Sequence, residues 1–331
     1  MYAFLRYVPI PALLLIGLFW SACQASDSPR PAETGPGSSN LPRDDGDLRN
    51  AFDAHRSWAD LVYLCETIGP RPLGSPGAEA TRAYLRSQLE AAGWAVEEDR
   101  SWAATPPGAE RTGPFEVVNL LARRPGNEPG ELWICSHYDS FDLPGFVGAN
   151  DSGSSTAVLL ELGRILGGTG PRSGPALVLC FFDGEEPFYD LPWDDVDNST
   201  FGSRHLARKL QRENRLQNIR ALVLLDMVGD RDLQLSVETR SDPRLRRLFH
   251  QAAGQMQDSS LVAGRREIKD DHLPFQRAGV ATINLIDFQF GPQNRWWHSR
   301  EDTLEKCSAE SLGRTGRLVL TALPLLEKRF P

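Results

Sequence analysis

The stretch Ala176-Leu177-Val178-Leu179-Cys180-Phe181-Phe182-Asp183-Gly184-Glu185-Glu186 decides the architecture. An apolar run without polar alternation is a strand buried on both faces, the habit of parallel sheets covered by helices. It stops at a glycine flanked by carboxylates, as a strand end does when it opens into a polar cleft. Comparable runs recur on either side. Val117–Ala122, Glu131–Cys135, Ile219–Leu225 and Val280–Ile286 read as strands. Between them Ser154–Leu166, Phe201–Gln211 and the segment Pro243–Met256 carry helical spacing. Two helices precede, Ala51–Ile68 and Ala78–Ala92, parted by Gly69-Pro70-Arg71-Pro72 and the Gly74–Gly77 turn; Ser308–Lys328 closes the chain as a helix. The expectation is an α/β fold with a mixed, mostly parallel, open twisted sheet flanked by helices.

At 331 residues, 40 % hydrophobic and 24 % charged, the chain has the composition of a globular protein with a full core. A formal net charge of -8 argues against a nucleic-acid surface, which needs clustered cations to neutralise phosphates. The N-terminus reads differently. Arg6 precedes an apolar run from Val8 to Trp20, the pattern of a signal peptide over residues 1–22. Ser21-Ala22-Cys23 resembles a lipobox, so Cys23 is expected to carry a lipid that holds an exported protein on a bacterial, outer-membrane surface. A plain secretory signal, giving a periplasmic or secreted protein, is the alternative. Residues 23–47 are rich in Ser, Pro, Gly and Asp and read as a flexible tether, leaving 48–331 as one catalytic domain. Of the later cysteines, Cys135 and Cys180 lie in strand-like runs where thiols behave as small hydrophobes, and no obligatory disulfide is expected with Cys65 or Cys307.

Polar clusters end the apolar runs. His137-Tyr138-Asp139-Ser140, Asn150-Asp151-Ser152-Gly153, Asp183-Gly184-Glu185-Glu186, Asp226, Lys269-Asp270-Asp271-His272 and Trp296-Trp297-His298 all sit at such places. Imidazoles and carboxylates arriving from separate strand ends suit a catalytic zinc, which takes about three protein ligands and keeps one position open. Blander roles remain for each. Asp151 would serve equally as a helix N-cap, and His137 as a hydrogen-bonded core histidine. Asp139 and Asp183 suit orienting roles, since metal-bound histidines donate their other N–H to a carboxylate. His55, His205 and His250 read as surface residues, and one of Trp296 and Trp297 as a pocket wall.

Taken together these segments, with Phe201-Gly202-Ser203-Arg204-His205-Leu206-Ala207 and Asp270-Asp271-His272-Leu273-Pro274-Phe275, resemble the zinc-dependent glutaminyl-peptide cyclotransferases, built on the zinc aminopeptidase fold. The resemblance runs from about Gly69 to the C-terminus. It implies conversion of an N-terminal glutamine of peptides or proteins to pyroglutamate with loss of ammonia. It also implies one zinc held by Asp151, Glu186 and His298, and a proton shuttle at Glu185. Asp226 and Asp270 would be its hydrogen-bonding partners, with Trp297 and Trp193 as pocket walls. Departures from the family pattern are Ser136 and Thr156 where animal secretory members have a disulfide, and Phe141 where they have lysine.

The competing expectation is a zinc aminopeptidase of the same superfamily, with two metals and a possible second set at His137 and Asp226. The ligand set alone does not separate the two, whereas Asp270-Asp271-His272 and Trp297 favour the cyclase. A non-catalytic binding ectodomain, the third alternative, would have lost ligands that this sequence keeps.

Overall fold

The computed structural model describes residues 45–188, 191, 198–263 and 266–330, with no side-chain detail for 45–47 and 262–263. The expected signal peptide, Cys23 and nearly all of the expected tether lie outside the described residues, as does Trp193. In chain order the elements are α1 (Asp45–Asn50), α2 (Ala54–Val62), α3 (Pro76–Ala91), β1 (Ala95–Ala103), β2 (Phe115–Arg124) and β3 (Gly126–His137). Then come α4 (Ser155–Leu166), β4 (Arg172–Phe182), α5 (Phe201–Arg212), β5 (Ile219–Asp226), β6 (Ser236–Val237) and α6 (Pro243–Met256). The chain ends with β7 (Val262–Ala263), α7 (His272–Arg277), β8 (Thr282–Ile286) and α8 (Ala309–Arg329). Local chemistry sets several starts. Asp53 caps α2 through the His55 and Arg56 amides, Ser75 caps α3 ahead of Pro76, and Ser308 caps α8.

The strands form one sheet in the order β1-β2-β4-β3-β5-β8-β6-β7. Its centre, β4-β3-β5-β8, is parallel, while β1, β2 and β6 add antiparallel pairings. The sheet is thus mixed and mostly parallel. Along β4 the side chains alternate between two helical layers. Leu177, Leu179 and Phe181 pack with α2, α3, α4, α6 and α8; Val178, Cys180 and Phe182 pack with α5 and α7. Each such fully buried side chain contributes about 1.5–3 kcal/mol of transfer free energy, and this two-sided burial is why the run shows no alternation. Cys135 and Cys180 are register partners on β3 and β4, and all four described cysteines are buried free thiols.

Strand β1 has no counterpart among the expected elements. It lies at the sheet edge with most of Val96-Glu97-Glu98-Asp99-Arg100 reaching solvent, so its sequence carries little apolar signal. The parallel centre brings the carboxyl ends of β4, β3 and β5 side by side, with His137 in register with Phe182. Among the described residues no helix is long and apolar enough to cross a membrane.

Candidate active site

The end of β3 supplies His137 and, two residues on, Asp139. The Asp139 carboxylate accepts the Glu185 and Glu186 amides at 3.2 and 3.1 Å and lies 3.4 Å from His137 Nδ1. One buried carboxylate therefore orients both an imidazole and the turn after β4, the role its position suggests. Gly184 takes a φ of 66° in that turn, and the Thr200, Phe201 and Gly202 amides bond the carbonyls of Glu185, Gly184 and Asp183. The start of α5 thus pins the turn. Asp183 faces away from it and accepts the Val118 amide at 2.8 Å; burial pushes its carboxyl up to about 7.

Asp151 comes from the loop before α4. Gly148 begins that loop at a φ of 53°, where a Cβ would stand 2.1 Å from the Asp151 carbonyl oxygen, so a side chain has no room. The Asn150 and Asp151 amides donate to the Asp302 carboxylate at 2.7 and 3.0 Å. From below, the fully buried Arg71 guanidinium donates to the carbonyls of Tyr138, Val147 and Gly148. Residue Ser154, not Asp151, occupies the N-cap of α4, which disposes of the capping role. The Asp151 carboxylate instead turns between two histidines, with Oδ1 3.3 Å from His137 Nε2 and Oδ2 3.6 Å from His298 Nε2. Glu186 Oε2 lies 3.0 Å from His298 Nε2, and Asp226 Oδ1 3.3 Å from His137 Nε2.

Two ligand sets share Asp151. The donor atoms of Asp151, Glu186 and His298 lie within 4.8 Å of one another, and so do those of His137, Asp151 and Asp226. Zinc bonds of about 2.0–2.2 Å place tetrahedral ligand atoms roughly 3.4 Å apart, close to these separations. Neither buried oxygen of Glu186 has a hydrogen-bond donor of acceptable geometry, a deficit that a cation would fill. The residues fit zinc.

The electrostatics differ across the site. Burial holds the His298 imidazole down at about 4, so its nitrogen lone pair is available at neutral pH. His137 goes the other way: burial disfavours its proton, but Asp139, Asp151 and Asp226 together raise it well above the ordinary histidine range. Burial, followed by the like charges of Asp270, Asp271 and Asp226, pushes Glu185 well above a normal glutamate against the pull of His137. Glu186 is raised well too, by burial and then by Asp151 and Glu185. Asp270 reaches about 7 through burial and then Asp226, and it is held by the Asn284 amide at 2.6 Å. Asp226 is raised by burial, with His137 offsetting part of the rise.

The expected residues therefore converge: Asp151, Glu186 and His298 in one set, His137 and Asp226 in the other, with Glu185 and Asp270 alongside. His272, though clustered in sequence, is not brought to the metal sets; it is fully buried with Nε2 3.2 Å from Glu238 Oε1. Trp297 stacks on His298 at 4.0 Å, whereas Trp296 packs edge-on to Phe290 under the Lys306 ammonium. Of the two indoles, Trp297 is thus the one in contact with a metal-set residue. A shallow cleft lined by Leu73, Arg111, Asp142 and Phe188 opens on Glu186. Arg71, Asn284 and Asp302 had no signal in spacing, because each acts through backbone amides, carbonyls or a single carboxylate.

A family model described as peptidase family M28 matches residues 119–323. The glutaminyl-peptide cyclotransferase of the snake Boiga irregularis is 32 % identical over 307 residues, covering 81 % of this chain and 80 % of its own. The chain belongs to the glutaminyl-peptide cyclotransferases of peptidase family M28. Among solved structures, the glutaminyl cyclase of an Acidobacteriales bacterium is 32 % identical with a TM-score of 0.76, covering 90 % of this chain and all of its own. A zinc-dependent exopeptidase of Parabacteroides distasonis shares the fold at 22 % identity and a TM-score of 0.71, over 84 % of this chain and 99 % of its own. The cyclotransferase fold and the paired carboxylates beside a zinc-competent set thus occur together here.

Proposed function

We propose that the chain cyclises the N-terminal glutamine of peptides and proteins to pyroglutamate, with one zinc held by Asp151, Glu186 and His298. The observation that carries this is Glu185. It is adjacent in sequence to a metal ligand, buried, and raised well above the usual range beside Asp270, Asp271 and Asp226. A carboxylate whose hold on a proton is strengthened in this way suits both accepting and returning one, which the reaction needs. Bound zinc supplies Lewis acidity toward the γ-carboxamide oxygen. Glu185 takes a proton from the α-amine as its nitrogen attacks Cδ, then returns a proton to the departing amide nitrogen, which leaves as ammonia. Asp226 and Asp270 keep Glu185 basic enough to accept and Asp139 fixes its backbone. Trp297 walls the pocket, and Trp193, outside the described residues, is assigned the facing wall. Cys23 is assigned as the lipid anchor, which would place the enzyme on the outer surface of a bacterial membrane among exported peptides.

The second reading, a two-metal aminopeptidase, draws on Asp151, whose two oxygens face separate histidines as a bridging carboxylate does. Incubation with an N-terminal glutamine peptide and with leucine amide separates the two. Pyroglutamate with ammonia from the glutamine peptide and no leucine from the amide is the expected result; leucine release without pyroglutamate refutes the cyclase. Zinc is expected at one equivalent per chain, against two for the peptidase. Glu185→Gln should cut turnover by about 10²–10⁴-fold while zinc stays bound, and loss of the metal in that variant would make Glu185 a ligand instead.

A further inference from the structure

His298, like Asp151, reaches the metal set from a loop rather than a strand. It sits in the loop after β8 at a φ of 50°, in the left-handed region that a non-glycine residue enters at a cost. Its ring lies between two aromatic faces. Phe141 stacks on one side with centroids 3.9 Å apart and planes 11° apart, and Trp297 on the other at 4.0 Å and 23°. Phe146 meets both rings edge-on, at 6.0 Å from Phe141 and 6.5 Å from His298.

Phe141 is itself held in place. It is 7 % exposed, and its neighbour Ser140 exchanges hydrogen bonds with the Arg71 backbone, the Ser140 hydroxyl accepting at 2.9 Å and the Ser140 amide donating at 3.2 Å. The next residue, Asp142, pairs with Arg111 at 2.7 Å. The two loops are also tied to each other, since Arg300 Nε donates to the Pro144 carbonyl at 2.9 Å.

We propose that Phe141 is a positioning residue for the metal: stacked against His298, it fixes the plane of the imidazole so that Nε2 points between the carboxylates of Asp151 and Glu186. A parallel ring leaves the imidazole free to slide in its own plane but not to tilt out of it, and tilt is what would carry Nε2 away from the metal. An aliphatic side chain fills much of the same volume without imposing a plane. Stacking of this kind adds to simple burial and favours one rotamer of a loop histidine.

This inference rests on the zinc assignment, and zinc affinity tests it without recourse to activity. The purified chain is stripped of metal and titrated with zinc against a chromophoric chelator. Phe141→Leu is expected to bind zinc about 10–100-fold more weakly, the effect of losing a group that orients a ligand. Phe141→Tyr and Phe141→Trp, which restore a ring face, are expected to stay within about 3-fold of the unaltered chain on the same scale. Melting of the metal-free variants confirms that they fold; if Phe141→Leu does not, Phe141→Met, equal in bulk but without a ring, takes its place. Equal zinc affinity in the aliphatic and unaltered chains overturns the proposal, as does equal weakening in the tyrosine and leucine variants. An unaltered chain that binds no zinc would instead refute the metal assignment beneath it.

Discussion

His137 and His298 face the two oxygens of Asp151 at 3.3 and 3.6 Å, yet opposite forces hold them. His137 ends a central strand, is 1 % exposed in its side chain, and has carboxylates at both ring nitrogens. His298 lies on a loop, 12 % exposed, between aromatic faces. The first environment retains a proton and the second sheds it. A metal ligand must be unprotonated, so His298, whose proton burial disfavours, is the better prepared for zinc. Seen this way, a protonated His137 would balance the carboxylates on its side of Asp151, where a co-catalytic enzyme would hold a second cation.

The largest expected effect breaks this pair apart. His298→Ala should weaken zinc binding by more than about 100-fold, exceeding the loss of an orienting group, and abolish activity. His137→Ala should leave one zinc per chain in place while slowing turnover. Zinc counting by atomic absorption decides between them: a fall from two equivalents to one in the His137 variant would show that both histidines are ligands.

A smaller effect sharpens the comparison through pH. In the metal-free chain Glu185 and Glu186 are raised well above their usual range, Asp270 to about 7 and Asp302 to about 8, all chiefly by burial. The folded state then binds more protons than the unfolded state from about pH 4 to 8, so its stability falls as pH rises through that window. His137, raised by its carboxylates, acts in the same direction: its contribution is full below its unfolded value and lost as pH climbs. His298, lowered to about 4, acts oppositely between about pH 4 and 6.5, but is outnumbered. The metal-free melting temperature should therefore drop by several degrees between pH 5.5 and 8, and zinc should stabilise more at pH 8 because binding displaces protons. A metal-free melting temperature that climbs over this range would contradict the assigned directions.

The smallest effect concerns the neighbouring indoles. Trp297→Phe keeps a ring against His298 but alters the pocket wall, and should raise KM a few-fold, by about 1 kcal/mol or less of lost contact. Trp296→Phe, which touches Phe290 and Lys306, should leave KM unchanged. Steady-state kinetics on both variants would reverse the assignment if the Trp296 change alone moved KM.

The central sheet was legible because its strands are buried on both faces, as in Leu177–Phe182, and His137 and Asp226 because they end such strands. Edge strand β1 was hidden by its exposed Glu97, Glu98 and Arg100, and the two-residue strands β6 and β7 are too short to carry any period. Asp151, Glu186 and His298 were found through chain-long resemblance rather than local spacing. What escaped was whatever acts through the backbone: Arg71 on five carbonyls, Asp302 on two amides. Side-chain identity says little about which main-chain groups a residue will reach. Phe141 was visible as a departure from the family pattern, but its partner in stacking depends on how two distant loops meet.

The Asp302 carboxylate bonds amides 152 and 151 residues upstream, at Asn150 and Asp151. A ribosome delivers these partners in order, so the metal loop emerges long before the carboxylate that shapes it. Until the segment after β8 has been made, a nascent chain holds the strand-end acids but neither the clamp nor the closing histidine. Synthesis itself therefore postpones a high-affinity zinc site until about 150 residues beyond the metal loop have been made.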